Sequence, residues 1–229
     1  MKAVILAAGL GSRLGDKDLP KPLTLLDNGQ SILQLQIRSL TRHMSIHDIL
    51  IVVGFRKELI MDRHPDLLFV YNPSFAEENT AKSLLRALHK VQEDVLWING
   101  DVIFHPSVLQ DVITLRQTGM VVNAAVVDEE SVKYRTDKQG SIVEVSKTVL
   151  QPEGEALGMN FWKSADLALL KTELIACRPN DYFEKGIEFC IQKGLVVKPI
   201  QVSENLCAEI DFPEDLKKAN QMLSQWSNT

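Results

Sequence analysis

The sequence predicts an α/β fold in which a mostly parallel sheet lies between layers of helices. Short apolar runs recur through the chain and end at Gly, Pro, Asn or Asp, as buried strands do. Segments with apolar residues at helical spacing alternate with these runs. The runs are also apolar on both faces, which is typical of parallel strands covered by helices on either side.

The first half of the chain supplies four strands and three helices of this prediction. The strands are expected at residues 3–10, 48–55, 67–73 and 94–101, and the helices at residues 31–44, from about Asn79, and from Pro106. Proline is favoured in the first turn of a helix, which is why Pro106 indicates a helix start.

The second half adds a different pattern to the same fold. Residues 120–127 predict another strand, and residues 131–147 predict a small β-hairpin insertion that turns at residues 137–140. Helices are expected at 164–176 and 181–193, strands at 195–202 and 206–210, and a last helix at 213–226. No linker or repeat interrupts the pattern, so we expect one domain over residues 1–229.

Composition excludes several classes of protein. The 229 residues are 45% hydrophobic and carry a net charge of −5 without a basic block, which argues against a nucleic-acid partner. The three scattered cysteines favour reduced thiols over a disulfide framework or zinc site. No apolar run reaches the length of a membrane span, and the opening run lacks a signal-peptide cleavage site. We expect a cytoplasmic protein without a membrane partner, and a homodimer stays open.

The loop after the first strand carries the strongest chemical signal. Its small residues (Ala7, Ala8, Gly9, Gly11 and Ser12) let backbone N–H groups approach an anion, and the cations Arg13 and Lys21 suit phosphate oxygens. A dinucleotide-binding loop would need a third glycine where Leu14 stands. A Walker A loop would end in Gly-Lys-Ser/Thr, which is absent here.

The stretch "LAAGLGSRLG", followed closely by "KPL", resembles the signature of the sugar-nucleotide pyrophosphorylase and cytidylyltransferase superfamily. Weaker agreement continues through "NGD" and "EID", and "YNP", "NTAKSL" and "IVEVSK" most resemble bacterial cytidylyltransferases that activate phosphocholine and similar phosphates or phosphonates. The resemblance implies a three-layer, Rossmann-like, glycosyltransferase-A-like fold. It also implies a Mg²⁺-dependent transfer of CMP from CTP to a small acceptor, with release of pyrophosphate.

The resemblance also implies roles for individual charged residues. Arg13 would clamp the triphosphate, Lys21 would bridge the α-phosphate and the attacking oxygen, and Asp101 and Asp211 would bind Mg²⁺, with Glu209 in reserve. A carboxylate just after a buried strand is where a magnesium ligand is expected. For Asp211, capping of the last helix is the alternative, because Pro213 follows closely.

Substrate-binding residues follow from the same resemblance. The nucleotide base would lie against the backbone of residues 6–9, from Leu6 to Gly9, and the pocket would be closed by Gly54, Asn79, Thr80 and Ser83. CTP is favoured, while UTP and dTTP stay open because such polar side chains can bind several bases.

Acceptor binding is assigned to Lys147, Glu155, Trp162 and Tyr182, with Phe161, Asp181 and Glu184 as further candidates. Aromatic and carboxylate groups together can hold a choline or ammonium head. The alternatives are an exposed strand-edge lysine for Lys147 and core packing for the aromatic pair.

Three other functions compete with cytidylyl transfer. A sugar-1-phosphate uridylyl- or thymidylyltransferase would use the same motifs. A glycosyltransferase would carry Asp-x-Asp at its metal site, whereas Asp101 is followed by Val102 and Ile103. A non-catalytic nucleotide-binding protein could lose Lys21 or the metal carboxylates, and these residues are all present.

Overall fold

The computed structural model describes residues 1–11, 14 and 18–226. Its strands are β1 (Lys2–Ala7), β2 (Ile49–Val53), β3 (Leu68–Tyr71), β4 (Val95–Asn99), β5 (Val102–Phe104), β6 (Gly119–Asn123), β7 (Lys133–Thr136), β8 (Ile142–Ser146), β9 (Gly154–Trp162), β10 (Lys198–Gln201) and β11 (Cys207–Glu209). Its helices are α1 (Ile32–Leu40), α2 (Lys57–Arg63), α3 (Thr80–Leu88), α4 (Pro106–Leu115), α5 (Leu167–Ala176), α6 (Phe183–Gln192) and α7 (Pro213–Trp226).

The central sheet has the strand order β10-β6-β9-β4-β1-β2-β3. Strand β1 pairs in parallel with both β2 and β4, β2 pairs in parallel with β3, and β10 with β6. Strand β9 runs antiparallel to β4 and β6. The α/β class with a mostly parallel, Rossmann-like sheet is therefore confirmed, and β7 and β8 form the expected hairpin beside β9.

The core lies on both faces of this sheet, because every residue of β2 and nearly every residue of β1 is buried. Alternate residues of β1 pack on opposite sides. Val4 and Leu6 belong to a core shared with α3, α5 and α6, whereas Ala3 and Ile5 belong to one shared with α1 and α4. These two cores make the three-layer arrangement. A third, smaller core joins α7 to the start of α1 and to the two-stranded β5–β11 sheet.

Several elements differ from the sequence prediction. Strand β5 was not predicted, because it has only three residues, between Asp101 and the start of α4. Strand β9 was not predicted, because Gly158, at φ +59°, interrupts its apolar run. Helix α2 was not predicted either, since it is only seven residues long and buries Ile60 alone. Strand β6 ends at Asn123 rather than at residue 127, because the side chain of Asn123 accepts a hydrogen bond from the backbone N–H of Ala125 and turns the chain.

None of the helices in residues 1–11, 14 and 18–226 combines the length and the apolar character needed to cross a membrane.

Candidate active site

A cleft of about 400 Å³ opens at the carboxyl ends of β1 and β4. This is the edge where ligands bind in parallel α/β sheets. Residues from the loop after β1, the loop after β4, the start of α3, the hairpin, the start of α6 and the end of β11 line it: Leu6, Ala7, Gly9, Gly11, Lys21, Pro22, Asn79, Thr80, Asn99, Gly100, Asp101, Glu130, Val132, Lys147, Tyr182, Glu184, Glu209 and Asp211.

Lys21 bridges two carboxylates in this cleft. Its ammonium donates to Asp101 Oδ2 at 2.7 Å and to Asp211 Oδ1 at 2.6 Å, although the three residues lie far apart in sequence. Burial opposes the charge on Lys21, but the two carboxylates outweigh that effect, so the pKa of Lys21 lies above its ordinary value of 10.5. The lysine is therefore a fixed positive charge in the cleft.

The β5–β11 ladder brings Asp101 and Asp211 together. Val102 pairs with Glu209 across the two strands, and the N–H of Ile210 donates to the carbonyl of Asp101 at 3.0 Å. Because β5 begins just after Asp101 and β11 ends just before Ile210, both aspartates emerge at the same end of the ladder. The sequence shows β5 and β11 only as two separate short apolar runs and does not indicate that they pair.

The alternative that Asp211 caps α7 is not what the structure shows. The side chain of Asp215, in the first turn of α7, accepts hydrogen bonds from the backbone N–H groups of Asp211 and Phe212 at 3.1 and 2.9 Å. This arrangement leaves the carboxylate of Asp211 pointing to Lys21.

A buried glutamine in α1 holds the loop that carries Asp101. Gln36 is fully buried, and its Nε2 donates to the carbonyl of Asn99 at 2.8 Å and to that of Val102 at 2.7 Å. These two carbonyls flank Asp101 on either side, so Gln36 fixes the backbone from which the carboxylate projects. The apolar periodicity of α1 gave no reason to assign Gln36 a functional position.

The oxygen atoms at the floor of the cleft suit a divalent cation. Asp101 Oδ1 and Asn99 Oδ1 are buried and accept no hydrogen bond from any described residue, although such atoms nearly always have a partner. Mg²⁺ takes oxygen ligands and keeps several waters, so it does not need a closed cage. Within residues 1–11, 14 and 18–226, no three His, Cys, Asp or Glu side chains converge on one metal position. Two carboxylates and the oxygens of a substrate are thus the ligands that this cleft could provide for Mg²⁺.

Glu209 lies behind these two aspartates. Its burial raises the pKa of its carboxyl well above the ordinary value of 4.5, and the charges of Asp101 and Asp211 raise it further. Strand β9 passes directly beside it: a Cβ on Gly158 would lie 2.5 Å from Glu209 Oε1 and 2.6 Å from Asn99 Nδ2. Position 158 therefore needs glycine both for its φ of +59° and for this close approach.

The loop after β1 contacts Lys21 closely. Gly11 has φ +60°, and a Cβ there would lie 2.7 Å from the Cβ of Lys21. Leu6, Ala7 and Gly9 line the cleft with Gly11, as expected for a loop that approaches a ligand with its backbone. Ser12 and Arg13, which the sequence assigns to phosphate binding, lie outside the described residues, so those assignments stay predictions.

The residues assigned to the nucleotide base divide into two groups. Asn79 and Thr80 line the cleft at the start of α3, where the Thr80 hydroxyl accepts a hydrogen bond from the N–H of Phe183 at 3.0 Å. Ser83 is instead buried, and its hydroxyl accepts a hydrogen bond from Asn72 Nδ2 at 3.0 Å.

Ala8 and Gly54 are also buried in the packing behind the cleft. The carbonyl of Ala8 accepts a hydrogen bond from the N–H of Phe55 at 3.0 Å, which ties the loop after β1 to the end of β2. Ser83 and Gly54 thus lie in the support of the pocket, whereas contact of the base with the backbone at Ala8 stays a prediction.

The residues assigned to the acceptor also separate. Lys147 and Tyr182 meet at the cleft: the Lys147 ammonium lies 5.2 Å from the centre of the Tyr182 ring and 3.0 Å from Glu130 Oε2. Glu155 is not one of the described residues that line the cleft, and burial raises the pKa of its carboxyl.

Trp162 corrects the sequence assignment. Its side chain is fully buried and packs against Trp97, with ring centres 5.3 Å apart. Trp97 in turn contacts Phe183 edge-on at 5.7 Å. Trp162 is thus a core residue at the end of β9, and it is not carried forward as an acceptor ligand. Core packing was the alternative that the sequence left open for the aromatic pair at residues 161–162.

Sequence comparison identifies the family. Residues 3–178 match the model of the MobA-like NTP transferase domain. The chain is 27% identical over 240 residues to a UTP–glucose-1-phosphate uridylyltransferase of Haloferax volcanii, and the match covers 98% of this chain and 97% of that protein. It is 34% identical over 118 residues to a CMP-5'-(3-aminopropyl)phosphonate synthase of Streptomyces rubellomurinus, covering 48% of this chain and 18% of the relative.

Structure comparison gives the same fold. The inositol-1-phosphate CTP transferase of T. maritima superimposes with a TM-score of 0.82, covering 99% of this chain and 96% of that one, at 22% identity. The expected superfamily is therefore confirmed. The chain belongs to the MobA-like NTP transferase family and is a nucleotidyltransferase.

Proposed function

We propose that this protein transfers CMP from CTP to a small phosphate or phosphonate acceptor and releases pyrophosphate. The observation that carries the proposal is the position of Lys21, whose ammonium lies between Asp101 and Asp211 in a cleft opened by a glycine-containing loop. In the reaction, an oxygen of the acceptor bonds to the α-phosphorus of the triphosphate as the bond from that phosphorus to the β-phosphate oxygen breaks. Nucleophile and electrophile are both anionic, so the protein must align them and neutralise charge.

Lys21 neutralises part of the negative charge of the two reactants. Its raised pKa keeps it protonated at physiological pH, so it binds a phosphate oxygen as a cation rather than acting as a base. Asp101 and Asp211 would hold Mg²⁺, which when bound neutralises phosphate charge. Lys147 also lines the cleft, and among the described lining residues it is the other cation besides Lys21. It is suited to the acceptor phosphate.

One comparison supports CTP. Asn79 and Thr80 line the wall of the cleft and suit the polar edge of a base without distinguishing cytosine from other bases. The Streptomyces relative is named as the synthase of a CMP-linked phosphonate. Arg13 belongs to the same proposal as a clamp on the triphosphate.

A sugar-1-phosphate uridylyltransferase is the second candidate. It is favoured by the Haloferax relative, because that match extends over nearly the full length of both chains. The two candidates share Lys21, Asp101 and Asp211 and differ in the base and in the acceptor.

The test is pyrophosphate release with Mg²⁺, in which CTP, UTP, dTTP and ATP are each combined with phosphocholine, 2-aminoethylphosphonate, inositol 1-phosphate and glucose 1-phosphate. We expect release with CTP and a non-sugar acceptor. Release with UTP and glucose 1-phosphate alone would establish the second candidate instead. Absence of release in all combinations would refute both.

Asp101→Asn tests the site within this assay. We expect turnover to fall at least about 100-fold, since the loss of one charged contact in the transition state costs a few kcal/mol. Asp94→Asn is the matched control. Asp94 precedes the same strand β4, and its carboxylate binds Lys163 and the N–H of Ser164 at the opposite end. Near-normal turnover in Asp101→Asn would refute this placement of the site.

A further inference from the structure

Glu184 is a buried carboxylate whose chemistry the proposed reaction does not use. It is the second residue of α6, lines the cleft, and has a residual exposure of 6%. Its Oε2 atom is buried and has no hydrogen-bond partner among the described residues. A buried carboxylate oxygen in this state lacks a donor that would offset its loss of water.

The groups around Glu184 do not supply that donor. Lys147 is close enough to lower the pKa of Glu184, but its ammonium is bonded to Glu130 and lies over the ring of Tyr182. Burial dominates and raises the pKa of Glu184 to about 7, against the opposing effects of its own backbone N–H and of Lys147. Its Oε2 atom still has no donor among the described residues. Glu130 and Glu209 line the same cleft as further acidic residues. This end of the cleft is therefore acidic and short of donors.

The missing donor restricts the ligand. A group that satisfies Glu184 must carry N–H or O–H, which excludes a quaternary ammonium because it has no N–H. A trimethylammonium group would instead need open aromatic faces. Here the ring of Tyr182 is covered by Lys147, and Trp162 is buried. A hydroxyl could donate to Glu184, but it would leave the acidic charge of this end uncompensated.

We propose that Glu184 binds a primary ammonium group of an acceptor short enough for its phosphate or phosphonate to reach Lys147, and so selects against choline. The inference rests on the proposed cytidylyl transfer and deepens it by naming the acceptor class. It also revises the phosphocholine-like acceptor that the sequence suggested.

The experiment uses acceptors that differ only in the group that would meet Glu184: phosphoethanolamine, phosphocholine and 2-hydroxyethyl phosphate, each with CTP and Mg²⁺. We expect the KM of phosphoethanolamine to be at least about 10-fold lower than that of the other two, as for the loss of one charged hydrogen bond. Glu184→Gln should raise the KM of phosphoethanolamine by about 10- to 100-fold and leave the KM of CTP unchanged. Glu188→Gln is the matched control, because Glu188 lies on the same helix and binds Lys185 and Gln192 instead.

Equal KM values for the three acceptors, or an unchanged KM in Glu184→Gln, would overturn the assignment of Glu184 while cytidylyl transfer stands. If no acceptor is turned over, the proposed function fails by itself. Calorimetric titration of phosphoethanolamine onto protein saturated with a non-hydrolysable CTP analogue then tests Glu184 separately. Binding to the wild type that is weakened at least about 10-fold in Glu184→Gln would support the inference, and equal binding or none would overturn it.

Discussion

Lys21→Met removes the cation that Asp101 and Asp211 share and keeps most of the apolar length of the side chain. The lysine side chain is 11% exposed, whereas those of Asp101 and Asp211 are 24% and 37% exposed. Breaking a fully buried pair costs about 3–5 kcal/mol. Because water reaches both carboxylates here, we expect a smaller loss, about 1–2 kcal/mol in the free energy of unfolding. For a chain of this size that lowers Tm by about 3–6 °C.

The same variant should respond more strongly to Mg²⁺. In the wild type the ammonium of Lys21 already neutralises the two carboxylates, so an added cation must compete with it. In Lys21→Met the carboxylates face each other without that cation. At a Mg²⁺ concentration of about ten times Kd, binding stabilises the variant by about 1.4 kcal/mol, which restores about 3–5 °C of Tm. Turnover should still be at least about 100-fold below wild type, since the metal does not replace a contact to the phosphate.

The assay is thermal unfolding followed by fluorescence, first with a chelator and then across a Mg²⁺ titration. Lys2→Met is the matched control, because Lys2 donates to a single aspartate, Asp48, at 2.6 Å far from the cleft. It should lose little stability and show the Mg²⁺ response of the wild type. A Mg²⁺ shift in Lys21→Met no larger than that of the wild type would refute the idea that Asp101 and Asp211 form a cation site.

Three further variants test separate parts of the structure. Gln36→Met loses both hydrogen bonds to the loop that carries Asp101. Urea unfolding should therefore show a free energy of unfolding lower by about 2–3 kcal/mol, and turnover should fall at least about 10-fold. Normal turnover would contradict the positioning role of Gln36. Trp162→Phe should cost about 1–2 kcal/mol of stability and leave the acceptor KM unchanged, whereas a raised KM would return Trp162 to the acceptor site. With a pKa of about 7 against an ordinary 4.5, Glu184 binds its proton more tightly in the folded state, so its contribution to the free energy of unfolding should fall by about 3 kcal/mol as pH rises from 4.5 to 7. Urea titrations at pH 5 and pH 8 should show this fall in the wild type and not in Glu184→Gln. An equal change in the free energy of unfolding for both proteins would refute the raised pKa of Glu184.

The local signals in the sequence were sufficient for most of the fold. Continuous apolar runs predicted β1, β2, β3 and β4, because a strand covered by helices on both faces buries every side chain. They did not reveal β9, whose direction is opposite to that of its neighbours and whose apolar run contains a glycine. A strand in the middle of a sheet is specified by its partners, and those partners lie far away in sequence.

Residue type and place in the chain were enough to select Lys21 and Asp101 as candidates, since a lysine after a glycine loop and a carboxylate after a buried strand are suited to phosphate and metal. Asp211 was selected by the family resemblance, because its place before Pro213 equally suited a helix cap. Only the tertiary structure decided that the three meet, because the β5–β11 ladder and the buried Gln36 set the position of Asp101. The tertiary structure also placed Trp162 in the core and showed that a buried oxygen of Glu184 lacks a hydrogen-bond partner among the described residues. Distances, burial and missing hydrogen-bond partners depend on contacts between distant segments, and no local pattern records them.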